Sequence, residues 1–455
     1  MEKTVMKGTG MVSLLVFTLC CLVPALSVRA EMTAVVDGVT WRYDYLSGNT
    51  VEITGFERID PPENGNLVIP GDLNGNSVVR IGEWCLNGVF TSVDIPSSVA
   101  EIGEGAFADC MDLETVTGGD GVTAIRRYAF RSCPKLKTLP SLSALETVED
   151  LAFFDTGMEV FVIPATVTSF SGMAFGAWRE SEVECAVRLT VAPGNSRYVS
   201  DAEGFVWGQN AGVKTSLVFA PCDVSGTLAL PEGLARIEAG ACLGRRRLSS
   251  VSIPASVTEI GESAFEESSV STVTGAAGVT RCGDGAFWGT PLVENSGDVF
   301  VKVGTVLVAC RGDYFDESNP VATVTVPSGV TVLADGVFEG LAANKVVIPA
   351  SVAYIGKRAF EDAVVKTVLF QGCSTSFHLQ AFEDGSGVRV LLGMAPKGKY
   401  RGVYTLLSFS ADDLDEDGMF SASELSLYEW RDYMWQYNEN HPELAQDDWD
   451  GDDYE

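Results

Sequence analysis

Large apolar residues and one cysteine recur along this chain at a near-constant step. Within each unbroken run the step is 22 or 23 residues. A fixed period in this range is typical of a solenoid, in which one unit cannot bury its own apolar face and must stack on its neighbours. The recurring positions are Trp84, Phe107, Phe130, Phe153, Phe175, Cys242, Phe265, Phe287, Phe338, Phe360 and Phe382.

The residues around these positions define one repeating unit. Its consensus is I-P-x-S-V-x-x-I-G-x-x-A-F-x-x-C-x-x-L-x-x-V. The clearest copies begin at Ile95, Ile253 and Ile348, and a looser copy begins at Ile163. In the clear copies at least five positions agree in register, so the match is specific.

Each unit is predicted to contain one short strand. Val93-Asp94-Ile95 alternates apolar and polar side chains, as a strand paired on both sides would. Pro96 then ends the strand, because proline has no N–H to donate to the ladder. We expect the Ala-Phe pair of each unit, such as Ala106 and Phe107, to pack inward from the convex side.

These motifs resemble the BspA-like leucine-rich repeat proteins of bacterial surfaces, over roughly residues 66–390. The resemblance implies a leucine-rich repeat solenoid with short parallel strands and an irregular convex side. It also implies a role in adhesion at the cell surface.

Two longer steps interrupt the period, near residues 185–225 and 291–322. Leu189 to Ala220 alternates around two Gly-containing turns, and Val299 to Val308 alternates around Gly304, as β-hairpins do. Related proteins carry similar interruptions. The two segments are therefore interpreted as β-hairpin insertions that decorate one solenoid.

The N-terminal 65 residues are predicted to form two segments. Residues 1–30 have a basic start, an apolar run from Met11 to Leu26 and the small-residue ending Val28-Arg29-Ala30, which indicates a secretory signal peptide. Residues 31–65 are interpreted as an N-terminal β cap. Within it, Val36 to Gly55 alternates apolar and polar residues, as a hairpin that covers the exposed edge of the first repeat would.

The chain is strongly acidic, with a formal net charge of −31 from 62 acidic and 31 basic residues. This charge argues against nucleic acid and anionic membrane surfaces as partners. The charge favours cations and basic proteins as partners. The alternative is that it only keeps the protein soluble.

Nine of the 11 cysteines remain once Cys20 and Cys21 leave with the signal peptide, and export would permit disulfides. Several cysteines nevertheless occupy repeat positions, which favours a role as small buried hydrophobes. Cys110 and Cys133 hold the same slot in adjacent repeats. They are the pair that stacking would bring close enough to cross-link.

The strongest local motif is an acidic segment of twelve residues, from Asp413 to Glu424. It matches the EF-hand calcium loop, in which carboxylates converge on the cation because a glycine at position 6, here Gly418, allows a sharp turn. The sequence therefore predicts Ca²⁺ as the bound ion. The predicted ligands are Asp413, Asp415, Asp417, Met419 through its carbonyl, Ser421 directly or through water, and Glu424.

A small C-terminal EF-hand-like module is predicted over residues 391–455, and an exit helix is expected from Leu427 to Tyr437. The loop also resembles one half of a dockerin, a calcium module that anchors exported proteins to a scaffold. Dockerins carry two such loops. The acidic stretch Asp448 to Asp452 is either the start of a second loop or a solvated tail.

The sequence favours a protein without enzymatic activity. Its two histidines, His378 and His441, have no companions for a metal cluster or a nucleophilic triad, and no phosphate-binding or nucleophile-elbow motif is present. The leading hypothesis is an exported adhesion protein whose strand face contacts a protein or glycan ligand. The alternative is a rigid spacer that is anchored to a scaffold through the calcium-dependent module. A third reading is that the calcium loop only stabilises the end of the solenoid.

Replacing Glu424 with Gln should abolish calcium binding, because the residue at position 12 closes the coordination shell with both carboxylate oxygens. We expect the unmodified protein to bind Ca²⁺ with a dissociation constant of about 10⁻⁴ to 10⁻³ M, as extracellular modules do. Calorimetric titration of residues 31–455 measures both proteins. If neither binds, the segment is only an acidic turn.

Overall fold

The structure is a computed structural model that describes residues 32–57, 65–176, 187–311, 320–371, 375–378, 381, 389–393, 401–405 and 419–421. Almost all regular structure in these residues is β-strand. The exceptions are a 3₁₀ turn at Gly172–Ala174 and the four-residue helix α1 at Pro291–Glu294. Within the described part of the chain, no helix has the length and hydrophobicity required to cross a bilayer.

The first stretch of the chain contains fourteen strands. They are β1 (Met32–Val36), β2 (Val39–Tyr45), β3 (Thr50–Glu57), β4 (Asn66–Val68), β5 (Asp72–Leu73), β6 (Asn76–Ile81), β7 (Ser92–Ile95), β8 (Glu101–Ile102), β9 (Thr115–Gly118), β10 (Ala124–Ile125), β11 (Thr147–Val148), β12 (Val160–Ile163), β13 (Ser169–Phe170) and β14 (Arg188–Val191).

The second stretch begins with a hairpin and continues in short strands. These are β15 (Tyr198–Ser200), β16 (Val206–Asn210), β17 (Val213–Phe219), β18 (Gly226–Ala229), β19 (Arg236–Ile237), β20 (Leu248–Ile253), β21 (Glu259–Ile260), β22 (Thr272–Gly275) and β23 (Arg281–Cys282).

The third stretch follows the same plan. Its strands are β24 (Phe300–Val303), β25 (Val306–Cys310), β26 (Val324–Thr325), β27 (Val332–Leu333), β28 (Ala342–Ile348), β29 (Tyr354–Ile355), β30 (Val364–Phe370), β31 (Ser376–His378), β32 (Arg389–Gly393), β33 (Arg401–Thr405) and β34 (Met419–Ser421).

The strands form two parallel ladders, and most coils of the solenoid contribute one strand to each ladder. The predicted strand around Val93-Asp94-Ile95 is β7 and belongs to the second ladder, which runs β4-β7-β9, β12-β14, β18-β20-β22 and β26-β28-β30-β32. The first ladder was not predicted. It runs β6-β8-β10-β11-β13, β17-β19-β21-β23 and β25-β27-β29-β31.

The first ladder explains the I-G motif of the repeat. Most of its strands are only two residues long, as in the pairing of Ile102 with Ile125. The glycine after the isoleucine lies directly on the preceding coil, and a Cβ at Gly103 would come 2.6 Å from the carbonyl oxygen of Ile81. Glycine is therefore required here because the two backbones approach closely.

The convex side is more regular than the expected irregular connection. Within an unbroken run each Ala-Phe segment is hydrogen bonded to the next one, as in the bonds from the N–H of Phe107 to the carbonyl of Ala129 and from Phe130 to Ala152, both 2.8 Å. Backbone hydrogen bonds thus join the coils at the convex turns as well as along the two ladders.

Two residues of most convex turns have positive φ, and this conformation directs their N–H groups toward the next coil. In one coil these are Gly105 and Asp109, whose N–H groups bond to the carbonyls of Arg127 and Arg131. The first position is held by Trp84, Gly105, Tyr128, Leu151, Gly240, Ser263, Gly285, Gly336 and Arg358, and the second by Asp109, Ser132, Asp155, Gly244, Glu267, Gly289, Gly340 and Asp362.

The repeat phenylalanines form a column of buried rings inside the solenoid. The ring centroids of Phe107 and Phe130 are 5.0 Å apart, those of Phe130 and Phe153 are 5.5 Å apart, and the planes differ by 10° and 6°. These spacings are close to the distance between neighbouring strands. The predicted inward packing of the phenylalanines is confirmed for those that the structure describes.

The assignment of Trp84 to this column is wrong. Counted from Ile81, the residue that matches Phe107 is Leu86, which is fully buried. Trp84 corresponds to Gly105 instead, and its side chain is 49% exposed. Its ring covers Gly105 and lies 6.0 Å from the ring of Tyr128.

Cys242 fills a phenylalanine slot as predicted, and its smaller side chain is accompanied by a buried arginine. The guanidinium of Arg245 is 1% exposed and stacks 4.5 Å over the ring of Phe219. It donates hydrogen bonds to the carbonyls of Ala220 and Leu243, at 2.7 and 2.5 Å. Burial lowers the pKa of Arg245 to about 10.

The two segments that interrupt the period are part of the ladder and not insertions outside it. Each contains an antiparallel hairpin, β16-β17 or β24-β25, and the last strand of each hairpin joins the first ladder in parallel with β19 or β27. The β1-β2-β3 meander enters the ladder in the same way, through β3 and β6. The hairpins therefore start new runs of the ladder, and the apolar core forms two blocks that meet near β16 and β17.

Replacing Phe130 with Ala should lower the free energy of unfolding by about 3–5 kcal/mol, because it leaves a cavity between two stacked rings. Urea unfolding followed by circular dichroism measures the loss. Val89→Ala is a suitable control because Val89 is 73% exposed, and its effect should stay within about 0.5 kcal/mol. Equal effects of the two substitutions would contradict the role of the ring column.

Candidate functional site

The predicted calcium loop lies mostly outside the described residues. Asp413, Asp415, Asp417 and Glu424 are all outside them. The backbone of Met419 and Ser421 forms part of β34, which pairs antiparallel with β31 of the last coil. Calcium binding therefore stays a prediction, and the signal peptide, the exit helix and the tail from Asp448 to Asp452 also lie outside the described residues.

The outward positions of the second ladder form a row along one face of the solenoid. The side chains of Thr117, Thr274 and Thr325 are exposed, and those of Asp94 and Ser252 are half-buried. Neighbours in the row interact, since the Thr117 hydroxyl donates to Asp94 Oδ1 at 2.8 Å. We call this row the strand face.

The strand face also carries exposed apolar side chains. Val160 and Val162 occupy outward positions of β12 and are 48% and 53% exposed, and Val68 of β4 is 52% exposed. Exposed valines beside threonines form small apolar patches that a binding partner could bury.

The first ladder carries a row of alternating charges on its outward side. Arg80 lies 3.3 Å from both Glu52 and Glu101, and Arg126 lies 2.9 Å from Glu101. Arg126 also reaches Glu149, at 2.7 Å. Single exposed ion pairs contribute little, but each inner member here is shared by two partners.

The pKa of Glu101 reflects this position. Partial burial raises it, but the hydrogen bonds and positive charges of Arg126 and Arg80 outweigh burial and hold the pKa below its usual value. Glu101 therefore stays ionised at neutral pH, and the charged row remains intact.

The first ladder is interrupted after β13, and a cleft opens there. Among the described strands, β13 pairs only with β11, whereas β17 starts the next run of the ladder. The coils remain in contact at one end, because a Cβ at Gly172 would come 2.2 Å from the carbonyl oxygen of Val218. They separate toward Ser169 and Ser216, and we call the space between them the junction cleft.

Tyr198 takes the place of the missing strand at the edge of β13. Its hydroxyl accepts a hydrogen bond from the N–H of Phe170 at 3.0 Å and donates to the carbonyl of Thr168 at 3.5 Å. One side chain thus satisfies backbone groups that a neighbouring strand would normally pair. Burial raises the pKa of Tyr198, so the hydroxyl keeps its proton at neutral pH.

The hairpin that carries Tyr198 is fixed to the preceding coil by Asn195. The buried Asn195 amide donates to the carbonyls of Pro164 and Val167, and its oxygen accepts from the N–H groups of Arg197 and Tyr198. Gln209 then donates to the carbonyls of Asn195 and Tyr198, both at 3.0 Å. The position of Tyr198 in the cleft is therefore set by a connected network.

The junction cleft has a volume of about 540 Å³ and a largely polar lining. Arg127 and Arg197 contribute positive charge, and Glu149, Asp150 and Glu238 contribute negative charge. Phe170 and Tyr198 are the aromatic residues of the lining. The size lies within the range of sites for small ligands.

Most of the described free cysteines have a raised pKa, whereas the hydrogen bond with Cys133 lowers the pKa of Cys110. Burial raises the pKa of Cys85, Cys242 and Cys310 to about 12, which leaves them as inert thiols. Cys110 and Cys133 are free and buried, so they are stacked hydrophobes and not a cross-link. Cys222 departs from the general expectation because it is disulfide-bonded.

Asp335 lies on the third stretch, immediately after β27. Burial is the main cause that raises the pKa of Asp335 to about 6, and the negative charge of Asp284 also raises it. The hydrogen bond that Asp335 Oδ1 accepts from the N–H of Lys357, at 2.7 Å, acts in the opposite direction. Burial and the charge of Asp284 also raise the pKa of the nearby Glu339. The described residues contain no group of three or more His, Cys, Asp or Glu side chains arranged to hold a metal ion.

Sequence analysis missed the junction cleft and the charged row. The charged row follows from residues one coil apart, such as Glu101 and Arg126, but it needs knowledge of the first ladder. The cleft depends on the position of the hairpin that carries Tyr198, whose hydroxyl bonds to the N–H of Phe170, 28 residues earlier in the chain. The only signal was the break in the period after Phe175.

Comparison with known proteins identifies the repeats. The sequence profile of the BspA type Leucine rich repeat region matches six copies, over residues 67–179, 215–295 and 311–391. No curated protein matches the sequence.

Several solved structures are similar to the chain. A leucine rich cell surface protein from Faecalibacterium prausnitzii is 21% identical over 75% of this chain and 96% of its own, with a TM-score of 0.40. The pneumococcal vaccine antigen PcpA is 14% identical over 80% and 93%, with a TM-score of 0.46. A leucine-rich repeat protein from Eubacterium ventriosum is 18% identical over 86% and 100%, with a TM-score of 0.41.

Replacing Tyr198 with Phe should expose the edge of β13, because the N–H of Phe170 loses its acceptor. We expect hydrogen exchange at Phe170 to accelerate about fivefold to tenfold, which corresponds to a hydrogen bond of about 1 kcal/mol. Hydrogen exchange resolved by NMR measures it. Tyr45→Phe, at the distant N-terminal hairpin, should leave Phe170 unchanged, and equal exchange in both variants would contradict the capping role.

Replacing Asp335 with Asn should stabilise the protein at pH 7.5 by up to about 2 kcal/mol and have little effect at pH 4. The folded pKa of about 6 lies above the unfolded value, so stability is lost as pH rises from about 4 to 6 and stays low above that. Thermal unfolding of wild type and variant at both pH values measures the difference. Asp120→Asn, on an exposed side chain, is the control, and a pH-independent effect of Asp335→Asn would contradict the assignment.

Proposed function

The chain belongs to the BspA-type leucine-rich repeat family, and we propose that it is an exported, non-enzymatic adhesion protein that contacts a protein or glycan ligand through its repeat surface. The family is typical of binding and surface proteins. In this proposal Ca²⁺ rigidifies the C-terminal module through the carboxylates of the loop from Asp413 to Glu424.

The observation that carries the proposal is the strand face. Its outward side chains stand on a backbone that is hydrogen bonded from coil to coil on both sides, as in the β7-β9 and β20-β22 pairings. Such a surface changes little on binding, so little conformational entropy is lost when a ligand docks. The exposed valines and threonines supply small apolar and hydroxyl contacts over an extended area.

The strand face is tested by placing bulky charges along it. A triple variant, Thr117→Arg with Thr274→Arg and Thr325→Arg, should abolish attachment of the labelled protein to epithelial cells and to immobilised matrix proteins. The matched control, Thr166→Arg with Thr258→Arg and Thr280→Arg, changes the same residue type at exposed positions in other turns. Equal attachment by both variants, or none by the unmodified protein, would contradict the proposal.

Truncation of the C-terminal module distinguishes the adhesion role from the alternative role as an anchored spacer. A chain that ends after Ser421 retains β33 and β34, which pair with the last coils, but lacks Glu424 and the predicted exit helix. If the proposal holds, this chain still attaches to cells, and only calcium-dependent stability is reduced. Loss of attachment in the truncated chain, matched by Glu424→Gln in the full chain, would instead support anchoring through the calcium module.

A further inference from the structure

The junction cleft contains hydroxyl groups that have no hydrogen-bonding partner within the described structure. They come in two adjacent pairs from the two walls of the cleft: Thr168, directly before β13, with Ser169 of β13, and Thr215 with Ser216 on β17. Ser216 is the most informative of them, because it is only 5% exposed. Its oxygen is not among the fully buried side-chain atoms that lack a partner, so the hydroxyl remains accessible from the cleft, where a ligand or ordered water can bind to it.

The backbone keeps this hydroxyl accessible. Gly208 lies opposite Ser216 across the β16-β17 pair, and a Cβ at Gly208 would come 2.4 Å from Ser216 Oγ. Any larger residue at position 208 would therefore press against the hydroxyl. Gln209, the next residue, uses its amide nitrogen within the hairpin and has its side-chain oxygen free for the cleft.

The charged groups around the cleft restrict the class of ligand. Glu149, Asp150 and Glu238 disfavour phosphate and other anions, and Arg127 and Arg197 disfavour a simple cation. An extended peptide would be expected to pair with the edge of β13, but the Tyr198 hydroxyl already occupies that edge. A volume of about 540 Å³ excludes a folded domain.

We propose that the junction cleft binds a neutral sugar unit of a glycan. A sugar presents several hydroxyls that both donate and accept, which matches a lining of serine and threonine hydroxyls, carboxylate acceptors, guanidinium donors and an amide oxygen. The half-buried ring of Tyr198, which packs edge-on against the buried Phe170, supplies apolar surface against which a sugar ring packs. This inference rests on the proposed adhesion function and assigns a glycan to one place on the repeat surface.

The test uses the full chain and a panel of methyl glycosides of glucose, galactose, mannose, fucose, N-acetylglucosamine and N-acetylgalactosamine, with N-acetylneuraminic acid as the charged comparison. Saturation-transfer NMR and titration should detect saturable binding of at least one neutral sugar. Ser216→Ala and Glu238→Gln should each weaken it about tenfold, as loss of a ligand hydrogen bond does. Ser47→Ala, on an exposed side chain of the N-terminal hairpin outside both the strand face and the cleft, is the matched control and should leave sugar binding unchanged.

The outcomes separate this inference from the proposed function. Absence of neutral-sugar binding, binding of the charged sugar alone, or equal binding by Ser216→Ala and wild type would overturn the sugar site. Thermal unfolding checks that the variants are folded. If cell attachment persists while no sugar binds, the adhesion function stands and only the sugar site fails, whereas absence of attachment by the unmodified protein contradicts the adhesion function itself.

Discussion

Backbone hydrogen bonds between successive convex turns hold the solenoid in register. Within each unbroken run, the N–H of a repeat phenylalanine bonds to the alanine carbonyl one coil later, as Phe265 does to Ala286 and Phe360 to Ala381, both at 2.8 Å. These bonds require positive φ at flanking positions, which non-glycine residues such as Tyr128 and Leu151 adopt at an energetic cost. The buried ring column and the two ladders offset that cost.

A concave, polar cleft opens where this regular pairing stops. Along the continuous runs, inter-coil hydrogen bonds occupy the backbone and the charged row pairs its members with one another. At the junction of β13 and β17 a side chain, Tyr198, replaces a strand, and hydroxyls such as Ser216 are left facing a cleft. A break in a repeat protein is therefore both a local loss of pairing and a source of a concave, polar site.

Periodicity alone predicted most of the fold. The step of 22 or 23 residues located the buried column, and the Val-x-Ile-Pro pattern located the second ladder, because both features repeat with the coil. The same reasoning misplaced Trp84, since counting from aromatic to aromatic ignored the I-G frame in which Leu86 is the equivalent residue. The cleft was not predictable, because it depends on where a hairpin outside the period docks. The calcium loop is a local motif that needs no tertiary context to be recognised, and it remains a prediction.

We infer that the convex turns are joined as firmly as the strands. Native-state hydrogen exchange of the amides of Phe107, Phe130, Phe153, Phe265 and Phe360, compared with the strand amides of Ile102 and Ile260, tests it most directly. We expect the two sets of amides to exchange equally slowly, through the same cooperative unfolding. Exchange of the phenylalanine amides at the rate of exposed loops, while the strand amides stay protected, would contradict it.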